Sequence, residues 1–325
     1  MKSKLLITGA SGFIGYHLIL AALEKGFEVH AAVRRDSNIK HLEGLDIQLA
    51  YLDYHSEHAL QKKIEEKDWQ YIIHAAGITK ASSQEEYDEV NASYTYNLAS
   101  AAEKAGIRKM VFVSSLAALG PQKKHTGELI TEQKHPEPVT AYGRSKLLAE
   151  ERLKALHDLP LTILRPTAVY GPRERDLFIM MRTIKGGLEP YIGRAPQNFS
   201  FLHVTDLAGA AVNALLLKTT GDYNLSDGAI YDRYELASIT KKILNRRTLK
   251  MHIPVPLVRI IAGTLEKVAT NKVPALNRDK LAELMAPGWQ LSIEKASKEL
   301  GFRPEYNLER GLSNTIQWYQ ANKWL

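Results

Sequence analysis

Apolar positions along the chain follow two alternating rhythms. Short, nearly continuous apolar runs at 4–8, 28–33, 47–51, 71–75, 110–114 and 161–165 predict buried strands. Between them, apolar residues recur every three or four positions over 13–25, 56–67, 85–105 and 143–157, which predicts amphipathic helices. Alternation of this kind predicts an α/β fold, a Rossmann-like doubly wound parallel sheet with helices on both faces. Past Arg165-Pro166 the rhythm breaks, and loops lengthen between 170 and 200. The helix predicted at 205–217, within a stretch near 200–225, returns to the main domain. The expected division is therefore 1–170 as the main domain, with 171–200 and 226–325 as a smaller, discontinuous C-terminal lobe.

Composition narrows the class. The chain has 325 residues, which at ~150 residues per domain is about two domains. Hydrophobic residues make up 45% and charged residues 24%, as in an ordinary globular protein. There is no cysteine, so disulfides, thiolate metal sites and cysteine nucleophiles are excluded, and no metal site is expected. The net charge of +7 suits an anionic small molecule, and no nucleic-acid partner is expected. The densest basic run, Lys241, Lys242, Arg246, Arg247 and Lys250, lies on an amphipathic helix with Ile239, Ile243 and Leu244 and reads as a solvated face. Leu5-Leu6-Ile7 follows Met1-Lys2-Ser3-Lys4 at once, which leaves no room for a signal peptide. No apolar run approaches the ~20 residues that span a bilayer, so no integral membrane segment and a cytoplasmic location are expected. The stretch 253–265 is unusually apolar but carries two prolines and Arg259. It reads first as a core helix of the outer lobe, with a pocket mouth or a membrane-surface contact as alternatives.

The first strand runs into Thr8-Gly9-Ala10-Ser11-Gly12-Phe13-Ile14-Gly15. Gly9 permits a tight turn, Gly12 lets backbone approach a pyrophosphate, and Gly15 lets helix and strand pack closely. Free amides and the helix dipole at the next helix favour phosphate there. Gly9 to Gly15, with Ser11, Phe13 and Ile14 between, is thus a candidate dinucleotide site. A carboxylate at the end of the second strand would accept from the ribose 2′-OH of NAD. That position is Val33, and Arg34 and Arg35 follow. Guanidinium groups suit a 2′-phosphate, so NADP is the expected cofactor and NAD the alternative, with Lys40 or His41 as a second contact.

Tyr142 and Lys146 are four apart and share a helix face. An ammonium beside a phenol stabilises the phenolate and makes the tyrosine a usable acid/base. Tyr319 and Lys323 repeat the spacing but lie far from the glycine turn and are set aside.

With these motifs in this order, the chain resembles the extended short-chain dehydrogenase/reductases, the NAD(P)-dependent epimerase/dehydratase family. The resemblance implies that Ser115 holds the substrate oxygen beside Tyr142, and that Lys146 also binds the nicotinamide ribose. It further implies that Leu52 and Asp53 contact the adenine, that Ala75, Ala76 and Gly77 wall the ribose, and that Asn91, Pro166 and Val169 lie near the nicotinamide. Two departures matter. Dehydratases of the family place an acid pair after the catalytic hydroxyl, where this chain has Leu116 and Ala117, so water elimination is excluded. Nucleotide-sugar epimerases carry a diphosphate-binding arginine where this chain has Phe199, although Arg173 and Arg175 could bind an anion nearby. The segment 253–262 is similar to the substrate-lobe helix of members that act on hydrophobic alcohols. The expected activity is an NADP-preferring oxidoreductase that interconverts a carbonyl and a secondary alcohol of a small-molecule substrate. The alternatives are an NAD(P)-dependent nucleotide-sugar epimerase and a non-catalytic NADP-sensing protein. The family resemblance also implies a possible homodimer through the helices near 85–105 and 143–157.

Overall fold

The computed structural model describes residues 2–123, 127–268 and 278–325. The six predicted strands form as β1 (Lys4–Thr8), β2 (Glu28–Ala32), β3 (Ile47–Ala50), β4 (Tyr71–His74), β5 (Lys109–Val113) and β6 (Leu161–Pro166). A seventh, β7 (Gly221–Leu225), pairs in parallel with β6. The sheet runs β7-β6-β5-β4-β1-β2-β3, and every neighbouring pair is parallel. Strand order reverses between β1 and β4, and a crevice opens beyond the C-terminal ends of strands at such a point.

The helices are α1 (Phe13–Glu24), α2 (Glu57–Lys67), α3 (Gln84–Asp88), α4 (Tyr94–Lys104), α5 (Ala141–Lys154), α6 (Asp176–Lys185), α7 (Val204–Leu216), α8 (Glu235–Leu244), α9 (Val255–Val268), α10 (Arg278–Met285), α11 (Glu294–Glu299) and α12 (Leu308–Ala321). Side-chain caps set several starts. Ser56 accepts from the Ala59 amide, Thr140 from Gly143 and Asn307 from Arg310.

Both faces of the sheet are buried except along the edge strand β3, which is why most of its strands read as continuous apolar runs. Leu5 and Ile7 join Leu18, Ile19, Leu207 and Ala211 on the face covered by α1 and α7. Leu6 and Ile72 join Leu60, Leu98, Ala102 and Leu153 on the face covered by α2, α4 and α5. A third cluster holds Tyr170, Met181, Phe201, Leu236, Leu312 and Tyr319, which packs α6, α8 and α12 together. Tyr319 is fully buried there and donates to the Glu174 carbonyl at 2.6 Å, a structural use of the residue set aside above.

Three expectations need adjustment. The helix expected over 85–105 is interrupted by one wide π turn, Glu89–Ser93, between α3 and α4. Asn91 in that turn receives the Ile78 amide and donates to the Ile78 carbonyl, and these bonds hold the displaced turn in place. The basic run is not uniformly solvated. Lys241 reaches the buried Glu189 at 2.7 Å and Lys242 pairs with Glu309, while Arg246, Arg247 and Lys250 are exposed. Finally, α9 is only half a core helix: Val258 and Ala262 are buried, but Leu257, Ile260 and Ile261 face solvent.

Candidate active site

The glycine turn joins β1 to α1 at the crevice. Gly9 has φ +67°, and a Cβ there would lie 2.7 Å from the Ala75 carbonyl oxygen. A Cβ on Gly15 would lie 2.1 Å from the Gly9 oxygen. Turn, helix and β4 exit are therefore packed to hydrogen contact. Gly12 is the N-cap of α1, with no side chain over the helix end and no acid in the first turn. The first amides of the helix lack carbonyl partners within it. This bare, glycine-lined helix start fits the pyrophosphate of a dinucleotide. Ser11, Phe13 and Ile14 are half-buried around it.

Arg34 and Arg35 are both exposed just past the end of β2. The Arg34 Nε lies 3.9 Å from Asp36, and the Arg35 guanidinium stands 5.1 Å over the Tyr51 ring beyond β3. Lys40 is exposed, and the His41 ring contacts the Ser11 backbone. Leu52 is half-buried; Asp53 is exposed and accepts from the His55 amide at 3.1 Å. All of these follow the C-terminal ends of β2 and β3, on the same sheet edge as the glycine turn.

A one-way chain of hydrogen bonds fixes the floor of the crevice. The Thr95 hydroxyl donates to the Asn91 carbonyl at 2.7 Å, so it accepts from His74 Nε2–H at 2.9 Å. His74 Nδ1 then accepts from the Thr8 hydroxyl at 2.7 Å, and Thr8 accepts from the Ala76 amide at 3.2 Å. Burial, helped by the Lys146 charge, pulls the His74 imidazole down to about 3, so it is the neutral ring this chain requires. Asn91 also donates to Ser145, which donates to the Tyr142 carbonyl at 2.8 Å. The exits of β1 and β4 and helix α5 are thus locked to one another. A Cβ on Gly77 would lie 2.9 Å from the Asn91 Oδ1 and 3.9 Å from the Lys146 Nζ. Ala75, Ala76, Gly77, Asn91 and Lys146 therefore stand together. Asn91 was marked in the sequence. Thr8, His74, Thr95 and Ser145 were given no role, and only their polarity within apolar or helical runs signals them.

Thr140 caps α5 and presents Tyr142 in its first turn. The Lys146 ammonium is buried, donates to the Val113 carbonyl at 3.0 Å and lies 4.4 Å over the Phe112 ring. Burial pulls it down to about 8, against the opposing charge of Glu150. Burial pushes the Tyr142 phenol up to about 12; the neighbouring Ser115 hydroxyl opposes the shift, and Glu283 and Tyr87 add to it. Ser115 also accepts from the Ala117 amide at 3.1 Å. Pro166 is buried at the end of β6, and Val169 is half-buried beyond it. At neutral pH, then, Tyr142 carries its proton and Lys146 its charge. Carbonyl reduction, which uses that proton, is expected to hold steady between about pH 6 and 7 and to fall above about pH 8 as Lys146 neutralises. Alcohol oxidation, which needs the phenolate, is expected to climb from neutrality upward. Parallel pH–rate profiles in the two directions check this, and a reduction rate that rises with pH contradicts it.

A buried ion network that sequence reasoning missed lies behind the site. Ser114 donates to Glu150 at 2.5 Å, Arg165 binds both Glu150 oxygens, and Arg165 Nη2 reaches Asp222 at 2.7 Å. Lys154 completes it at 2.7 Å from Asp222. Phe199 packs on Phe201 with ring centres 6.3 Å apart. Arg173 lies over Tyr16 and Arg175 over Trp324, so both cover aromatic rings.

A Rossmann-like sheet with a glycine cradle, and a Ser, Tyr and Lys gathered at its edge, define an NAD(P)-dependent enzyme of the extended short-chain type. The description "NAD dependent epimerase/dehydratase family" matches residues 5–226, and the chain belongs to that family. It is 29% identical over 339 residues to an N-acetyl-alpha-D-glucosaminyl-diphospho-ditrans,octacis-undecaprenol 4-epimerase of Escherichia coli, covering 98% of this chain and 96% of that protein. It is 28% identical over 331 residues to a ceramide reductase of Caulobacter vibrioides, covering 100% and 96%. Among solved structures, a UDP-glucose 4-epimerase of Thermotoga maritima with UDP-glucose shares the fold, with a TM-score of 0.81 at 20% identity, covering 98% and 99%.

Proposed function

We propose that this protein is an NADP-preferring oxidoreductase that interconverts a carbonyl and a secondary alcohol. The observation that carries the reading is the buried Tyr142 phenol with Ser115 as a polar neighbour, one helical turn before buried Lys146 on α5. A bound nicotinamide supplies the hydride to the carbonyl carbon, or receives it in oxidation. Ser115 holds the substrate oxygen. Tyr142 gives that oxygen its phenolic proton in reduction and takes the proton back in oxidation. The Lys146 charge stabilises the phenolate, and its ammonium reaches the ribose wall at Gly77. The N-terminus of α1 holds the pyrophosphate.

Preference for NADP is supported by two exposed arginines at the end of β2. Val33 stands where an NAD-selective carboxylate would accept from the ribose. Replacing both, Arg34→Ala with Arg35→Ala, is expected to cut the ratio of NADP⁺ to NAD⁺ affinity by roughly 10- to 100-fold, the worth of one or two charged hydrogen bonds. Calorimetric titration of the cofactor-stripped chain with each nucleotide measures that ratio. An unchanged ratio places the 2′-phosphate elsewhere. A second reading, a nucleotide-sugar epimerase, is favoured by the named activity of the E. coli relative. The apolar Phe199–Phe201 pair, where epimerases place a diphosphate-binding arginine, weighs against it.

A further inference from the structure

We propose that the outer face of the C-terminal lobe docks this protein on the surface of an anionic phospholipid bilayer. Two short parallel strands, Leu188–Ile192 and Leu249–Ile253, pair with Leu249 opposite Leu188 and Met251 opposite Pro190. Alternation along a strand sends neighbouring side chains to opposite faces. Glu189 turns inward, buried on Lys241 and Thr248. Leu188, Pro190, Leu249 and Met251 are all exposed. The chain then enters α9, where Leu257, Ile260 and Ile261 form an exposed stripe at helical spacing. Leu249 is 65% and Ile260 66% exposed, extreme values for aliphatic side chains that nothing described in the chain covers.

Charge selects the occupant. Across 185–197 and 245–264 the exposed cations are Lys185, Arg194, Arg246, Arg247, Lys250 and Arg259. Lys250, opposite Glu189, turns to the inner face over the Tyr234 ring, which leaves the other five for the outer face. The sole acid in those segments is Glu189, which is buried and already paired with Lys241. Anionic head groups attract such cations, and aliphatic side chains between them enter the boundary of the acyl layer. Nucleic acid would answer the cations but leave the leucine and isoleucine side chains in water. A second copy would set two positive faces against each other. No described helix is long and apolar enough to cross a membrane, so the contact lies on the surface. It also lies close to the chemistry. Helix α10 packs on α9, and its Asp279 accepts from the Ala141 amide at 2.5 Å, one residue before Tyr142. A substrate dissolved in the bilayer would thus meet the crevice beside the docked face.

The docking proposal stands on the lobe alone and is tested without turnover, so its failure leaves the oxidoreductase reading in place. The full chain is floated with vesicles of phosphatidylcholine alone and of phosphatidylcholine mixed with phosphatidylglycerol. It is expected to float with the mixed vesicles and to stay behind with the neutral ones. Ile260→Gln with Ile261→Gln, and separately Arg246→Glu with Arg247→Glu, are each expected to weaken binding by about tenfold or more. All four side chains are exposed, and unchanged cofactor titration shows that the variants are folded. Three results overturn the proposal. The first is no flotation with phosphatidylglycerol. The second is wild-type binding by the isoleucine variant, which reduces the effect to charge adhesion. The third is conversion of a dimer to a monomer by that variant, which assigns the face to a second copy.

Discussion

Tyr142→Phe is expected to lower turnover by roughly a thousandfold while leaving cofactor affinity within about twofold. The substitution removes one oxygen and keeps the ring that packs beside Tyr87. It takes away the phenol that neighbours Ser115, and with it the proposed proton donor for carbonyl reduction. Lys146 keeps its own anchor on the Val113 carbonyl, and the pyrophosphate cradle is untouched. Steady-state rates and nucleotide titration on the same preparation separate the two effects. Turnover equal to wild type would remove Tyr142 from the chemistry.

The second large effect is on stability. Glu150 and Arg165 are almost wholly buried and meet through three hydrogen bonds. Glu150→Ala leaves the guanidinium with Asp222 alone, and its Nη1 already has no partner among the described residues. Removing one member of a buried pair costs about 3 to 5 kcal/mol, because the charge left behind is uncompensated. The urea midpoint is expected to fall accordingly. Adding Arg165→Met to a Glu150→Leu variant should recover part of the loss, since an apolar pair of similar volume tolerates burial. An unfolding free energy within about 1 kcal/mol of wild type for Glu150→Ala would show the network to be solvated.

What was legible in the sequence is what local periodicity and spacing encode. Most of the six strands were readable because they bury both faces, so apolar side chains fill consecutive positions; the edge strand β3, with Gln48 and Leu49 exposed, is the exception. The glycine turn was readable because close approach excludes a Cβ at Gly9 and Gly15. Tyr142 and Lys146 were readable because helical spacing alone brings them together. Pairings set by topology were not. His74 meets Thr8 across 66 residues, and Arg165 meets Asp222 across 57, and no local pattern announces either contact. The π turn escaped because its cause, the bond of Asn91 to Ile78, lies outside the helix it interrupts. The two faces of α9 escaped for the opposite reason. Both are apolar, so sequence alone could not say that one packs and the other meets solvent.

The central claim is net hydride transfer between cofactor and substrate. The most direct measurement supplies the chain with NADPH deuterated at C4 of the nicotinamide and a panel of ketones that includes lipid-soluble ones. The predicted result is deuterium on the carbinol carbon of a product alcohol, with one NADP⁺ released for each alcohol formed. Inversion of a UDP-sugar with the cofactor retained and no net oxidation would contradict it.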